Sequence, residues 1–239
     1  MAVTIVIPTL NCVRDLEECL SSILDNTLEL LGSHVFIHVQ DGGSHDDTMA
    51  LLKHSTIAGL SFSSGQDTGV YSAMNASVRA CTTDWIYFLG ADDRILTGFR
   101  CLLDNLEDLD TVYYGDVYMR SKGNSYDGNF SSLKLVYRNI CHQAAIYPVH
   151  ALRASPFNVD YRVCADWAKN IELQSSLKFV HVDTVVANYN DLSGVSHNTV
   201  DAAFERDKVR LCRQHLGLVC AIAARTQSVP TFIYQKLVK

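Results

Sequence analysis

Short apolar runs alternate with amphipathic stretches through the first hundred residues. Each run stops at proline, glycine or a polar group, which is typical of buried strands ending in loops. Residues 14–26 carry apolar side chains at helical spacing, and the later part of 65–81 is also predicted to be helical. This alternation predicts right-handed crossovers, a largely parallel sheet and an α/β fold. The predicted strands are residues 3–7, 34–40, 60–63 and 85–89.

Beyond residue 110 the pattern changes. Residues 111–119 are a predicted strand, 120–132 a polar turn or hairpin tip, and 165–175 a helix. Residues 190–199 have the composition of a mobile loop, and a mixed amphipathic segment containing arginine follows to the end. We find no internal repeat.

Composition narrows the class of protein. A chain of 239 residues suits one α/β domain, with or without a tail. No apolar run approaches the roughly 20 residues that span a bilayer, so we expect neither a transmembrane helix nor a signal peptide. The net charge of −6 argues against nucleic acid as a partner and favours small molecules.

The eight cysteines include no C-x-x-C pair, and several lie in apolar patterns. Without an export signal, we interpret them as reduced, buried thiols of a cytoplasmic protein. The spacing argues against a structural zinc site.

Two adjacent carboxylates, Asp92 and Asp93, follow the predicted strand 85–89 after a break at Gly90. At roughly 4 Å and an effective dielectric near 20, such a pair repels by about 4 kcal/mol. It therefore needs a cation, a shared proton or open solvent. The alternative is a solvated cap for a helix over residues 97–106.

Parallel strands bring their carboxyl ends to one edge, where open α/β sheets bind ligands. No phosphate loop, dinucleotide fingerprint or nucleophile elbow is present. What remains is an ordered set of motifs: IPTLN (7–11), DGGSHDDT (41–48), DTGVYSAMN (67–75), FLGADD (88–93), HQAAIY (142–147) and CADW (164–167). In this order and spacing, residues 1–190 resemble family 2 glycosyltransferases of the GT-A fold.

The resemblance implies a central, mostly parallel sheet flanked by helices, a nucleotide-sugar donor and inverting sugar transfer. It divides the chain into a GT-A domain, 1–198, and a C-terminal helical tail, 199–239. Within the domain, 1–95 would be the nucleotide-binding half and 96–198 the acceptor half. It also suggests bacterial surface-polysaccharide assembly, with a glycan or lipid-linked glycan as acceptor.

By the resemblance, Asp92 and Asp93 match the family's metal-binding element on the donor diphosphate. Mn²⁺ or Mg²⁺ is the expected cofactor, because both prefer oxygen ligands. Asp93 is expected to be the direct ligand, and Asp92 to contact ribose or to reach the metal through water.

The resemblance places Asp41 against the nucleotide base, where a carboxylate favours the N3–H donor of uracil, or guanine through N1–H. UDP is therefore the expected nucleotide. An Asx turn is the alternative role for Asp41. The opposite wall of the cleft is assigned to Pro8, Thr9 and Asn11, although Pro8 alone could simply end a strand.

Asp67 and Gly69 match a family loop that contacts the donor, and His142 and Gln143 match an H-Q pair lining the site near the sugar or acceptor. For the lone His142, a structural role is an equal alternative. The chain departs from the family pattern in the helix after Gly69, which bears on donor identity. The departures are Ser72, Ala76 and Ser77.

Inverting transfer needs one base to take the proton of the acceptor hydroxyl. Asp166, at the start of a predicted helix, matches the family's acidic residue in this role, and helix capping is its alternative. Asp160 and Asp116 are competing candidates. His197 lies in the predicted loop and could complete a metal or diphosphate site.

Two other classes of protein stay open at this stage: a nucleotidyltransferase with a related fold, and a non-catalytic glycan-binding protein. The C-terminal tail is basic with an apolar side, which is compatible with peripheral contact at the inner face of the membrane. Packing on the domain or in a dimer is the alternative.

Overall fold

The computed structural model describes residues 1–192 and 199–226. Its strands are β1 Val3–Thr9, β2 Val35–Asp41, β3 Leu60–Ser64, β4 Trp85–Phe88, β5 Arg94–Ile95, β6 Thr111–Met119, β7 Asn124–Tyr126, β8 Ala145–Pro148 and β9 Lys178–Tyr189. Its helices are α1 Val13–Thr27, α2 Thr48–His54, α3 Val70–Ala80, α4 Gly98–Asp104, α5 Ser132–Tyr137, α6 Val149–Ala154, α7 Ala165–Leu173 and α8 Ala202–His215. Residues 218–226 are also helical.

One sheet joins the strands in the order β3-β2-β1-β4-β8-β6-β9-β5, and β7 pairs with β6. The first four positions are parallel, with Thr9 beside Asp41 and Asp41 beside Ser64. Three strands thus end level with one another, and their loops share one edge. The prediction of an α/β fold with polar strand ends gathered together is confirmed.

The second half of the sheet is mixed. Strand β8 runs antiparallel to β4 and β6, whereas β9 runs parallel to β6 and antiparallel to β5. Sequence patterning did not predict β9, because its burial is partial along most of its length and no alternation stands out. Its carboxyl end returns beside β5, which directly follows the carboxylate pair.

The core is densest around β4, whose four residues are all fully buried between β1 and β8. The Tyr87 ring packs against Phe99 at 4.7 Å between centroids, and Phe88 packs edge-on against Phe157 at 5.5 Å. Because β4 is held on both sides and both faces, the turn at its end has a rigid base.

Helix α8 packs on α7, with the rings of Phe204 and Trp167 5.1 Å apart. Asp201 caps α8 by accepting from the Phe204 amide, and it also accepts from the amide of Val163. The division of the chain at residue 198 stays a prediction. No helix in residues 1–192 or 199–226 has the length and apolar character needed to cross a membrane.

Candidate active site

Asp41 ends β2 and is buried, with both carboxylate oxygens hydrogen-bonded. It accepts from the amides of Gly43 and Ser44 at 3.1 Å, and from the hydroxyls of Ser44 and Ser64 at 2.5 Å. Burial raises the pKa of Asp41, but these hydrogen bonds outweigh it and hold the pKa below its usual value. The Asx-type turn and a buried carboxylate therefore occur together at this position.

Asn11 joins the loop after β1 to the loop after β2. Its side-chain oxygen accepts from the backbone amide of His45, and its backbone amide donates to the Ser44 hydroxyl, both at 2.8 Å. Its φ of 51° is left-handed, a conformation that asparagine tolerates better than most residues. The Thr9 carbonyl accepts from the Gly42 amide at 2.9 Å, which closes the same wall.

Pro8 lies within β1 beside Gln40 of β2 and is half-buried, so it belongs to the strand. Asp67 accepts from the Gly69 amide at 2.9 Å, just before α3. Gly69 has φ of 130°, which favours glycine. A Cβ on Gly42 would lie 3.1 Å from the Asp67 carboxylate, so Asp67 borders the Asp41 turn.

The carboxylates of Asp92 and Asp93 fold back over Gly90. A Cβ at position 90 would lie 2.6 Å from one Asp93 oxygen and 2.9 Å from one Asp92 oxygen. The Asp93 amide closes the turn on the Gly90 carbonyl at 3.0 Å. A side chain at position 90 would therefore displace both carboxylates from this side of the turn.

Asp93 is 1% exposed, whereas Asp92 is half-exposed. Asp93 accepts from the backbone amide of Asn190 at 2.7 Å, from the Gln143 side chain at 2.8 Å and from the Gly90 amide at 3.2 Å. The pKa of Asp93 is raised to about 6, mainly by burial and also by the charge of Asp92, although the hydrogen bonds from Asn190 and Gln143 act to lower it.

Asn190 contacts both members of the pair, since its side-chain amide also donates to Asp92 at 3.0 Å. Sequence reasoning missed this residue. It stands in a stretch that has only loop composition, and its proximity to the pair depends on β9. The carboxyl end of β9 thus supplies donors that partly offset the repulsion between Asp92 and Asp93.

His142 and Gln143 link the two halves of the site. Gln143 donates to Asp93, while Nδ1 of His142 lies 3.3 Å from Asp166. The two residues share a short 3₁₀ turn, so their side chains reach neighbouring groups. Both residues singled out in the sequence therefore lie between the carboxylate pair and Asp166.

Asp166 is 5% exposed and sits in the first turn of α7. One oxygen accepts from the Tyr71 hydroxyl at 2.9 Å and the Trp167 amide at 2.8 Å, and the other accepts from the Asn139 side chain at 2.9 Å. Burial, together with the Asp166 charge, raises the pKa of Tyr71 well above its usual value, so Tyr71 stays a donor.

The competing acidic candidates lie apart from this network. Asp160 is exposed, and Asp116 accepts from the Gly128 amide at 2.7 Å and from His181 at 3.1 Å on the β6–β9 pair. His197 lies outside the described residues.

A divalent cation fits the oxygen donors present. Within residues 1–192 and 199–226, no group of three histidine, cysteine or acidic side chains has metal-binding geometry. The protein would therefore contribute the two carboxylates of Asp92 and Asp93 as ligands. Mg²⁺ and Mn²⁺ accept such sites when phosphate oxygens and water complete the shell. The donor set is therefore typical of a cation shared with a diphosphate.

The fold and the site define an α/β protein in which His142 and Gln143 connect a carboxylate pair to the buried Asp166. The model of the family described as "Glycosyl transferase family 2" matches residues 4–159. The chain belongs to this family and is a glycosyltransferase, which argues against the two other classes left open above. Use of a divalent metal is typical of the family.

Curated relatives agree with this assignment. A "PGL/p-HBAD biosynthesis glycosyltransferase" of Mycobacterium bovis (strain BCG / Pasteur 1173P2) is 36% identical over 240 residues, covering 95% of this chain and 91% of the relative. Chondroitin synthase of Escherichia coli is 26% identical over 201 residues, covering 78% of this chain and 28% of the relative.

Solved structures show the same GT-A fold. TarS 1-349 of S. aureus superposes with a TM-score of 0.67 at 15% identity, covering 90% of this chain and 64% of that one. The mannosyltransferase PcManGT of Pyrobaculum calidifontis, in complex with GDP-Man and Mn²⁺, gives 0.64 at 17% identity, covering 94% of this chain and 64% of that one. The expectation of a GT-A fold is confirmed.

Proposed function

We propose that the protein transfers a sugar, with inversion, from a UDP-sugar to a hydroxyl of a glycan or lipid-linked glycan in surface-polysaccharide assembly. One observation carries the proposal. Gln143 is bonded to Asp93 of the carboxylate pair, and its neighbour His142 contacts Asp166. A cation-binding element and a candidate base therefore lie on either side of two adjacent residues.

The nucleotide belongs at the edge formed by Thr9, Asn11, Asp41 and Asp67. Both oxygens of Asp41 already accept hydrogen bonds, so the main effect of this carboxylate is to shape the turn at Gly43 and Ser44. A base N–H reaches Asp41 by displacing the Ser44 or Ser64 hydroxyl. A structure of TarS 1-349 contains UDP-GlcNAc, which supports UDP, whereas PcManGT with GDP-Man keeps guanine as the competing base.

The cation belongs on Asp92, with Asp93 behind it. This exchanges the roles expected from the sequence, because Asp93 is buried and accepts three hydrogen bonds, while Asp92 is half-exposed. Mn²⁺ or Mg²⁺ bound there would offset the charge of the diphosphate and stabilise the departing nucleotide.

The base is assigned to Asp166. The acceptor O–H bond breaks as its proton passes to the carboxylate, the oxygen bonds to the anomeric carbon, and the bond to the diphosphate breaks with its electron pair. The Tyr71, Asn139 and Trp167 donors hold the carboxylate in place. Gln143 and Gly69 are assigned to the donor side of the site.

Membrane contact is assigned to the C-terminal region. In the helical residues 218–226, Leu218, Val219 and Ile222 are 65%, 73% and 57% exposed on a surface that also carries exposed Arg225. Apolar side chains flanked by a cation are typical of helices that lie in a bilayer interface. The protein would then work in the cytoplasm, at the inner face of the membrane.

Calorimetric titration with UDP and GDP, each with and without Mn²⁺, tests the donor assignment. We expect UDP to bind more tightly than GDP, with a clear gain from Mn²⁺. A mass-spectrometric screen of UDP-sugars against glycan acceptors then identifies the sugar. Preference for GDP, or indifference to Mn²⁺, would overturn the corresponding part of the proposal.

A further inference from the structure

The turn that carries the carboxylate pair has each of its four backbone carbonyls hydrogen-bonded. Gly90 accepts from the Asp93 amide within the turn, at 3.0 Å. The next three carbonyls accept from guanidinium groups. Arg94 donates to Ala91 at 3.3 Å and to Asp93 at 2.8 Å, and Arg120 donates to Asp92 at 3.2 Å.

The two arginines tie the turn to different parts of the molecule. Arg94 is paired with Glu18 on α1, within the nucleotide-binding half. Arg120 follows β6, 28 residues from Asp92, and its Nε donates to the Asn188 side chain at 3.0 Å on β9. Its backbone amide also donates to the Tyr189 carbonyl at 3.3 Å.

Arg120 therefore bridges the carboxylate turn and the end of β9, where it contacts Asn188, two residues before Asn190. Asn190 donates to the carboxylates of Asp93 and Asp92, and Arg120 donates to the backbone carbonyl of Asp92. The guanidinium is a rigid fork that can satisfy two acceptors at once, whereas an ammonium group is a point charge. Arg120 uses two nitrogens of the fork here, one on the Asp92 carbonyl and one on the Asn188 side chain.

We propose that Arg120 is a positioning residue for the cation site: it fixes the backbone of Asp92 and locks it to β9, so that Asp92 is already placed for a metal–diphosphate ligand. The inference rests on the proposed role of Asp92 in that site. Arg120 acts through Asp92 and needs no contact with the substrate.

Arg120→Lys tests this, because it keeps the charge and loses the fork. The probe is UDP, titrated calorimetrically with and without Mn²⁺, and the measured quantity is the gain in UDP affinity due to Mn²⁺. Outer-shell changes at metal sites typically cost about 10- to 100-fold in metal affinity, and we expect the gain to fall within that range. UDP affinity without metal should stay near that of the wild type.

Arg153→Lys is the matched control. Arg153 also donates to two backbone carbonyls, but these belong to Val78 in α3 and to Cys81 directly after it, not to the carboxylate turn. We expect it to lower the melting temperature at most and to leave the Mn²⁺-dependent gain unchanged. Equal losses in the two lysine variants would reduce Arg120 to a general structural role.

Asn188→Ala is the second variant, in case Arg120→Lys does not fold. It removes the acceptor of Arg120 Nε while keeping the guanidinium, so the Mn²⁺-dependent gain should fall in the same direction. The double variant should lose less than the sum, because both changes break one linkage. An unchanged gain in Asn188→Ala and Arg120→Lys, with a normal gain in the wild type, would overturn the inference; no gain in the wild type would overturn the donor proposal instead.

Discussion

The Tyr71 hydroxyl donates to the Asp166 carboxylate at 2.9 Å, across 95 residues of sequence. Tyr71 lies in the first turn of α3, and Asp166 lies in the first turn of α7. The two helices are thus joined at the residue proposed to take the acceptor proton. A change at Asp166 affects both the chemistry and this junction.

Asp166→Asn should lower kcat by about 10²–10⁴-fold, the usual contribution of a general base, while Mn²⁺-dependent UDP binding persists. The new amide would face the Asn139 side-chain amide, donor against donor, so we also expect a loss of roughly 1–3 kcal/mol in unfolding free energy. Steady-state transfer assays and urea unfolding measure the two effects. Asp160→Asn, at an exposed position, is the control. Normal turnover in Asp166→Asn would move the base elsewhere.

Asp92→Asn should reduce the Mn²⁺-dependent gain in UDP affinity by at least the roughly 10-fold that loss of an outer-shell partner costs. Its half-exposed side chain makes a large stability change unexpected. EDTA should abolish transfer, and Mn²⁺ or Mg²⁺ should restore it. Asp110→Asn, whose side chain is 79% exposed, controls for the lost charge. Full activity in excess chelator would remove the metal from the mechanism.

Asp41→Asn should destabilise the protein by about 1–3 kcal/mol near neutral pH, because four donors lose a charged acceptor. The pKa of Asp41 is depressed in the folded state, so its stabilisation is present above the ordinary carboxyl pKa of about 3.9 and is lost as pH falls through the lower, folded value. Urea unfolding of both proteins between pH 7 and pH 3 measures this. A stability difference that grows as pH falls below about 4 would contradict the assignment.

Replacing Leu218 and Ile222 together by serine should weaken sedimentation with anionic vesicles at low salt, where surface electrostatics are strongest. UDP affinity should stay unchanged, because the change lies on the exposed side of residues 218–226. Leu28→Ser, at a position 67% exposed beyond α1, is the matched control. Removal of the residues after Arg225 should act in the same direction. A wild-type protein that ignores such vesicles would exclude membrane contact.

The sequence by itself determined the alternating half of the fold. Strands β1 to β4 were predicted to within about two residues, because each is a short apolar run with a sharp polar stop. Since parallel strands share an edge, the grouping of Thr9, Asp41 and the Asp92–Asp93 pair followed without coordinates. The resemblance added His142, Gln143 and Asp166, which the structure joins through hydrogen bonds.

Only the tertiary structure distinguishes the environments of the two carboxylates in the pair. Asp92 and Asp93 are chemically identical, and their exposure depends on how the turn folds over Gly90 and on what β9 brings beside it. Asn190 and Arg120 lie in polar stretches whose local pattern carries no periodicity. Their contacts with the pair come from the return of β9 to the sheet, a long-range pairing that hydrophobic pattern alone does not encode.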